Sequence, residues 1–365
     1  MTAHSDLNVL IGYGYHPTTT ATYLQRALER RTRATTFVGT SYGARAGYAA
    51  TGDIARICEA LTDHPDLYLH VDSGAQFYFP RGLTNLTCPT ACYLIDVHIA
   101  PKTHWKQAMF FDYAFSAQRT FVDVLRHLGH PRAYWLPLAC DPEIHRRHDV
   151  PKRFDIGFVG STSSHYARRA ALLRRLEERF TLSDYKRSYT PEEMARVYSE
   201  SHLVFNCSLR REVNMRVFEG PATGSLLLTD RIGNGLAELM ADRTHLVMYD
   251  DAILVELAEE YLRDHAARER IAASGYEHVR AHHTYDHRAA QILDTIFAGS
   301  GPHLEAPLRR AGDSDLALAY AELYSRMGYV DDTITQFKAL PATLGCRVPG
   351  AKQVALSLIR RVRYG

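Results

Sequence analysis

No apolar run in this sequence approaches the about 18–20 residues that a membrane-crossing helix needs, so a chain built on membrane spans is excluded. Excess charge is also scarce: 43 Lys and Arg face 41 Asp and Glu, for a formal net charge of +2. A field strong enough to draw in nucleic acid is therefore not expected, although arginines gather locally in "HYARRAALLRRLEERF". Glu177 and Glu178 offset part of that cluster, which reads as an amphipathic helix with a solvated face. Six cysteines scattered over 365 residues make no disulfide framework. Cys88 and Cys92, in "CPTAC", lack a second Cys or His pair at zinc-finger spacing. The opening "MTAHSDLNVLIGYGYHP" has no basic segment leading into an apolar one, so it does not read as a signal peptide. Scattered reduced thiols fit a cytoplasmic enzyme.

What the chain does have is core material. It is 46% hydrophobic and 23% charged, an ordinary globular composition, and its 365 residues suggest two domains. "LNVLIGYGYH" is a short apolar run ending in a glycine turn, and "TATYLQRALERR" follows with apolar residues at helical spacing. This strand, turn and helix open a βαβ unit. Strands are expected at "ATTFV" (34–38), "DLYLHVDS" (66–73) and "TACYLIDVH", with a helix at "DIARICEAL" (53–61). A helix around "RTFVDVLRHLG" and the segment "RAYWLPLACDP" complete the first series.

A second alternation starts at "RFDIGFVGSTSSHYARRAALLRRLEERF", where an apolar strand runs into Gly160-Ser161 and a long helix. Strands follow at "TLSDY", "HLVFNCSL", "SLLLTD" and "HLVMYD" (245–250), separated and closed by helices. Two such series argue for two doubly wound α/β domains, joined near residues 138–152. Beyond them, "DLALAYAELYSRMGYVDDTITQFKAL" reads as two helices and "AKQVALSLIRRVRYG" as a basic amphipathic helix. That last helix packs on the body or lies on a membrane surface.

One stretch asks for an explanation. In "NMRVFEGPATGSLLLTD", Asn214, Arg216 and Glu219 crowd in front of a buried strand, where a core has no use for them. Ligands of open parallel sheets bind beyond the carboxyl ends of the strands, which is where these residues fall. Together with "FDIGFVGS", "YSESHLVFNCSL", "GLAELM" and "RERIAASGYEHVRAHHTYDHR", the stretch resembles the nucleotide-sugar domain of GT-B glycosyltransferases. The pattern is most similar to the CgeB-like (spore maturation protein-like) branch with a glycosyl transferases group 1 C-terminal domain. "LYLHVDSGAQFYFPRGL", "PTACYLIDVHIAP" and "WLPLACDPEIH" extend the likeness, more loosely, over about residues 66–295.

The resemblance implies an α/β GT-B fold: two facing, doubly wound Rossmann-like domains followed by a helical extension. The expected divisions are 1–140 for the acceptor-side domain, 150–300 for the nucleotide-sugar domain and 305–365 for the tail. Glu219 takes the ribose hydroxyls on this reading, and Arg216 with a helix start grips the diphosphate. Gly160, Ser161, Lys186, Asn206 and Asn214 complete the expected donor set, with Arg168 or Arg169 as further cations. Glu212 lies seven residues before Glu219, one short of the two-glutamate spacing of many retaining enzymes. Pro221 departs from the pattern and should end the helix early.

On the acceptor side, Asp96 and His98 are expected on one face of a strand, His98 as general base helped by Asp96. His16 is a second base candidate. The likeness implies no cofactor and no bound metal, with cations and helix ends stabilising the leaving diphosphate. Metal binding through Asp96, His98 and His104 rests on composition alone. The partners implied are a nucleotide-sugar donor and an unidentified acceptor, for which the Gly/Tyr-rich "GTSYGARAGYAATG" is a candidate loop. Two other readings stand beside transfer: a nucleotide-sugar epimerase or hydrolase, and a degenerate nucleotide-sugar-binding protein that docks a partner through its tail.

Overall fold

The computed structural model describes residues 4–16, 19–40, 52–72, 78–163, 166–298 and 301–340. The chain divides into two compact units. The first comprises Met1–Ala117, Phe121–Trp135 and Leu293–Gly365, and the second Gln118–Thr120 and Leu136–Ile292.

The first unit holds six parallel strands: β1 (Asn8–Gly12), β2 (Ala34–Val38), β3 (Leu67–Val71), β4 (Thr90–Leu94), β5 (Tyr113–Ser116) and β6 (Ala133–Trp135). Their order is β2-β1-β3-β4-β5-β6. Every residue of β1, β3, β4 and β5 is buried, as expected of parallel strands covered on both faces. The helices of this series are α1 (Thr20–Glu29), α2 (Ile54–Ala60), α3 (Pro101–Ala108) and α4 (Arg119–His127). Asp53 caps α2, accepting from the backbone N–H groups of Ala55 and Arg56.

The strand carrying "TACYL" is shorter than the sequence suggests. β4 ends at Leu94, and Val97 to Ile99 form a turn. Asp96 and His98 therefore sit in the turn after the strand, and the same-face argument for them does not hold. Ile95 and Val97 stay buried, which is why the apolar pattern continues where the backbone has already turned.

The second unit has four parallel strands, β7 (Phe154–Gly157), β8 (Ser201–Asn206), β9 (Leu226–Asp230) and β10 (Val247–Tyr249), in the order β10-β9-β8-β7. After β7, α5 (Ala167–Glu177) leads to Leu182, which pairs with Ile156 at the outer edge of β7. The expected strand at "TLSDY" reduces to this single bridge. Ser183 spends its hydroxyl on the backbone of Phe158, and the chain then turns at Tyr185. α6 (Pro191–Ser199), started by a Thr190–Glu193 capping box, returns the chain to β8 on the other side of β7. The two connections leave β7 and reach β8 in opposite directions, which makes the gap between these strands a topological switch point. α7 (Arg216–Ala222) holds Pro221 and stops one residue after it. α8 (Leu236–Leu239), α9 (Leu254–Arg263), α10 (His265–His282) and α11 (Tyr285–Phe297) follow, and the chain re-enters the first unit within α11.

α12 (Asp313–Met327) and α13 (Val330–Lys338) come from the stretch expected as a tail. α12 lays Tyr320, Leu323, Tyr324 and Met327 into the core of the first unit, among Phe79, Leu83 and Phe110. Its apolar face is thus covered, and is not open to a docking partner. The candidate acceptor loop falls largely on residues 41–51 and the basic helix on 351–365, both outside the described residues. No helix among the described residues is long and apolar enough to cross a membrane.

Candidate functional site

The switch point of the second unit is organised around Arg216, the first residue of α7. Its Nε donates to Tyr198 Oη (2.9 Å), its Nη1 to Asn206 Oδ1 (2.8 Å) and its Nη2 to the carbonyl of Val159. The guanidinium also lies over the Phe158 ring, 4.6 Å from its centre. Arg216 therefore ties the ends of β7 and β8 to each other, and two of its five N–H groups are left over. A Cβ at Gly160 would come 2.7 Å from Nη2 at a φ of +154°. The glycine is needed to make room for Arg216, whatever ligand approaches.

Asn206, at the end of β8, is fully buried and held at both of its amide atoms. Its Nδ2 donates to Thr229 Oγ1 (3.0 Å), and its Oδ1 accepts from Arg216 and from Asn214 Nδ2 (3.1 Å). The Oδ1 of Asn214 is buried with no hydrogen-bond partner among the described residues. Ser161 is exposed and accepts from its neighbour Ser163 through Oγ (3.3 Å). Lys186 is elsewhere. It is exposed beside Tyr185 in a groove shared with Arg153, Glu177 and Arg196, none of which touches the Arg216 network.

Two arginines expected as phosphate ligands are occupied by the protein. Arg168 pairs with Asp230 (2.9 Å) and, through two nitrogens, with Asp251 (2.6 and 2.8 Å). Arg169 is buried and donates to the carbonyls of Cys207 and Ser161. The start of α7 is likewise spent in part: the N–H groups of Val217, Phe218 and Glu219 donate to the carbonyls of Asn214 and Met215. Glu212 folds back on its own loop, accepting from the N–H groups of Leu209 (2.8 Å) and Arg210 (2.6 Å).

Glu219 stands differently. It is 7% exposed, and its one ion-pair neighbour among the described residues is His145, whose Nε2 lies 3.4 Å from Oε1. His145 Nδ1 accepts from the N–H of Asp141 (2.9 Å), so the imidazole proton sits on Nε2, near the carboxylate but without hydrogen-bond geometry to it. Burial holds His145 neutral, pulled down to about 3. Burial pushes Glu219 up to about 7, against the opposing pull of Arg216. The ordinary value is 4.5, so between 4.5 and about 7 the folded chain holds a proton that the unfolded chain has released. Stability accordingly falls as pH rises through that window, by about 3 kcal/mol in total. Glu219→Gln is expected to be more stable than the parent at pH 8, with the advantage fading toward pH 5. Parallel urea midpoints for the two chains across pH 5–8 would refute this origin of the strain.

In the first unit, His16 lies past the end of β1, where its carbonyl accepts from Thr19 N–H and Thr22 Oγ1. The turn bearing Asp96 is tied down by Asp72, whose Oδ2 accepts from Asp96 N–H (3.2 Å) and meets His104 Nε2 at 2.8 Å. Burial pulls His104 down, but the Asp72 carboxylate outweighs it and leaves the imidazole above its ordinary value. His104 is committed to Asp72 and the Ala100 carbonyl, which leaves it no lone pair for a metal. Sequence reasoning missed His145, Tyr198 and Phe158 as members of the switch-point assembly. The quoted "CDPEIH" was a signal for His145, whereas nothing local marks the other two.

Residues 146–294 match the family model described as glycosyl transferase-like. No curated protein matches the chain. Among solved structures it is similar to Anabaena HepE in complex with UDP and glucose, at 10% identity and a TM-score of 0.57, over 79% of this chain and 99% of that one. It is also similar to sucrose-phosphate synthase from Thermosynechococcus elongatus (11%, TM-score 0.55, 78% and 97%). An α,α-trehalose-phosphate synthase (UDP-forming) from Burkholderia vietnamiensis gives 14%, 0.53, 84% and 100%. The class so defined is the GT-B fold of glycosyltransferases. Within it, residues 146–294 carry the likeness to the glycosyl transferase-like family model.

Proposed function

We propose that this chain transfers a sugar from a nucleoside diphosphate sugar to an acceptor nucleophile, without a bound metal or cofactor. The observation that carries the reading is a pair of acceptors at the switch point that make no hydrogen bond among the described residues. The Glu219 carboxylate is buried beside one imidazole, and Asn214 Oδ1 is buried without a partner among the described residues. Buried acceptors are costly unless a donor reaches them, and a polyhydroxylated ligand brings such donors. Glu219 would take the ribose hydroxyls and Asn214 a further hydroxyl, while Arg216 holds the crevice open and offers its two remaining N–H groups. Anabaena HepE, solved with UDP-glucose, is a structural neighbour whose ligand fits this chemistry. The order of motifs supports the CgeB-like branch, and the free thiols of Cys58, Cys88, Cys92, Cys140 and Cys207 suit a cytoplasmic setting. His98, helped by Asp96, is the proposed base for the acceptor, and His16 is the second candidate.

Calorimetry with UDP, GDP, dTDP and ADP, beside donor turnover in the presence of a chelator, tests the proposal. One nucleotide is expected to bind selectively, about 30–100-fold more weakly in Glu219→Ala. Its affinity should drop below pH 7, because hydroxyl donors need the ionised carboxylate. Turnover that needs no acceptor would instead favour an epimerase or hydrolase. If no nucleotide binds at millimolar concentration, the donor reading is wrong.

A further inference from the structure

Asp72, just past the carboxyl end of β3, and His104, on α3, are both buried. His104 Nε2 lies 2.8 Å from Asp72 Oδ2, and Nδ1 lies 2.8 Å from the Ala100 carbonyl. A carbonyl oxygen has no proton to give, so Nδ1 carries one. A second proton must lie between Nε2 and the carboxylate, because two bare acceptors do not hold contact at that distance. Asp72 Oδ2 also accepts from the N–H of Asp96 (3.2 Å), and that bond favours the ionised carboxylate. The second proton therefore belongs to the ring, and the pair is an imidazolium facing a carboxylate.

The charged groups around the ring leave this assignment intact. Burial disfavours the charge on His104, but Asp72, the Ala100 carbonyl and Asp96 outweigh it. Burial pulls His70, on β3, down to about 4 against the opposing pull of Asp72, so it is neutral and does not compete for the proton. Burial and then Asp72 push the Cys92 thiol of β4 up, so it stays protonated. On α12, which packs against α3, Glu322 is taken by Lys106 (2.6 Å).

A buried ion pair adds little net stability over apolar side chains of the same size, so what this one supplies is geometry. Asp72 joins β3 to α3 through His104, and to the turn bearing Asp96 and His98 through the Asp96 N–H. A ring without the second proton turns a lone pair toward Oδ2, and the carboxylate that holds the turn is then repelled.

We propose that Asp72 and His104 form a charged latch that positions the turn bearing Asp96 and His98, and that the latch opens when the imidazole deprotonates. His104 is then a positioning residue for the acceptor base, an assignment that rests on the transfer reading above. While Asp72 is ionised, the contribution of the latch is complete below the ordinary imidazole value of 6.5 and is lost as pH rises through the higher folded value. Glu219 limits donor binding from the acid side, so transfer should show an alkaline limb as well, carried by kcat and set by His104.

The test is nuclear magnetic resonance of the full chain labelled with nitrogen-15 histidine, with His104→Gln locating the ring's signals. Both nitrogens of His104 are expected to be protonated at pH 6.5 and to titrate above it, about 1–3 pH units lower in Asp72→Asn. Amide hydrogen exchange over residues 93–100 should be at least about tenfold faster in His104→Ala than in the parent. In a transfer assay the alkaline limb of kcat should coincide with the ring's own titration and be absent in His104→Gln, with donor KM unchanged. A ring that carries one proton at pH 6.5 overturns the charged pair, and unchanged exchange over 93–100 overturns the latch. An alkaline limb that persists in His104→Gln removes the positioning role. Absence of any transfer would overturn the transfer reading alone, because titration and exchange are read without turnover. If His104→Ala fails to fold, Asp72→Asn supplies the exchange comparison.

Discussion

Asp112→Ala is expected to destabilise the first unit by about 3–5 kcal/mol, the range found when one partner of a buried ion pair is removed. Asp112 is completely buried and its carboxylate accepts five hydrogen bonds. Oδ2 takes Thr90 N–H, Thr90 Oγ1 and Arg309 Nη2, at 2.8, 2.8 and 2.7 Å. Oδ1 takes Ala306 N–H (2.8 Å) and Arg309 Nε (2.7 Å). The fork-to-fork pair with Arg309 is the strong, directional kind. Arg309 in turn donates to the carbonyls of Thr84, Leu86 and Cys88, so losing Asp112 strands a guanidinium and leaves backbone donors unsatisfied. Both tryptophans, Trp105 and Trp135, belong to this unit, so fluorescence-monitored urea unfolding reports on it selectively. A loss under 1 kcal/mol would mean that water replaces the carboxylate. Asp112→Ala combined with Arg309→Met should recover part of the loss, because no unpaired charge then remains.

Arg216→Met should be nearly as costly to the second unit, about 3–5 kcal/mol, and should take nucleotide binding below detection. Hydrogen bonds from a charged donor are worth about 1.5–3 kcal/mol each but do not add, and the stacking on Phe158 contributes about 1–2 kcal/mol more. The substitution removes the donors that Arg216 gives to the Val159 carbonyl and to Asn206 Oδ1, so the ends of β7 and β8 lose their tie. It also removes the charge that holds Glu219 down, so this carboxyl should keep its proton to higher pH. Arg216→Lys should rescue little, since one ammonium cannot span three acceptors. Thermal unfolding followed by far-UV circular dichroism reads both units and tryptophan fluorescence only the first, so a transition seen by the former alone belongs to the second unit. Retained nucleotide affinity in Arg216→Met would show that the crevice does not depend on the tie.

The strands were largely legible because parallel strands buried on both faces read as uninterrupted apolar runs between turns. The misreadings came where burial and strand geometry part company. In "YLIDVH" the buried Ile95 and Val97 continue past the strand's end, and in "TLSDY" one bridge carries what looks like a strand. The candidate site was legible as a segment but not as a set of roles. Arg216, Glu219 and Asn214 were visible in one short stretch. The partners that define them are not: Tyr198 lies on α6, and His145 precedes β7. Arg168 looks like a free cation until Asp230 and Asp251, 62 and 83 residues further on, are seen to claim it.

The order in which the ribosome delivers these residues gives the Asp112–Arg309 pair a second meaning. Arg309 follows Asp112 by 197 residues, so at 5–20 residues per second its partner emerges roughly 10–40 s later. In that interval the second unit, almost continuous from Leu136 to Ile292, can close on its own, while the first carries an unsatisfied carboxylate at its centre. The half of the molecule that is synthesised first is thus completed last, and chains halted before Arg309 should expose the first unit, not the second, to proteases.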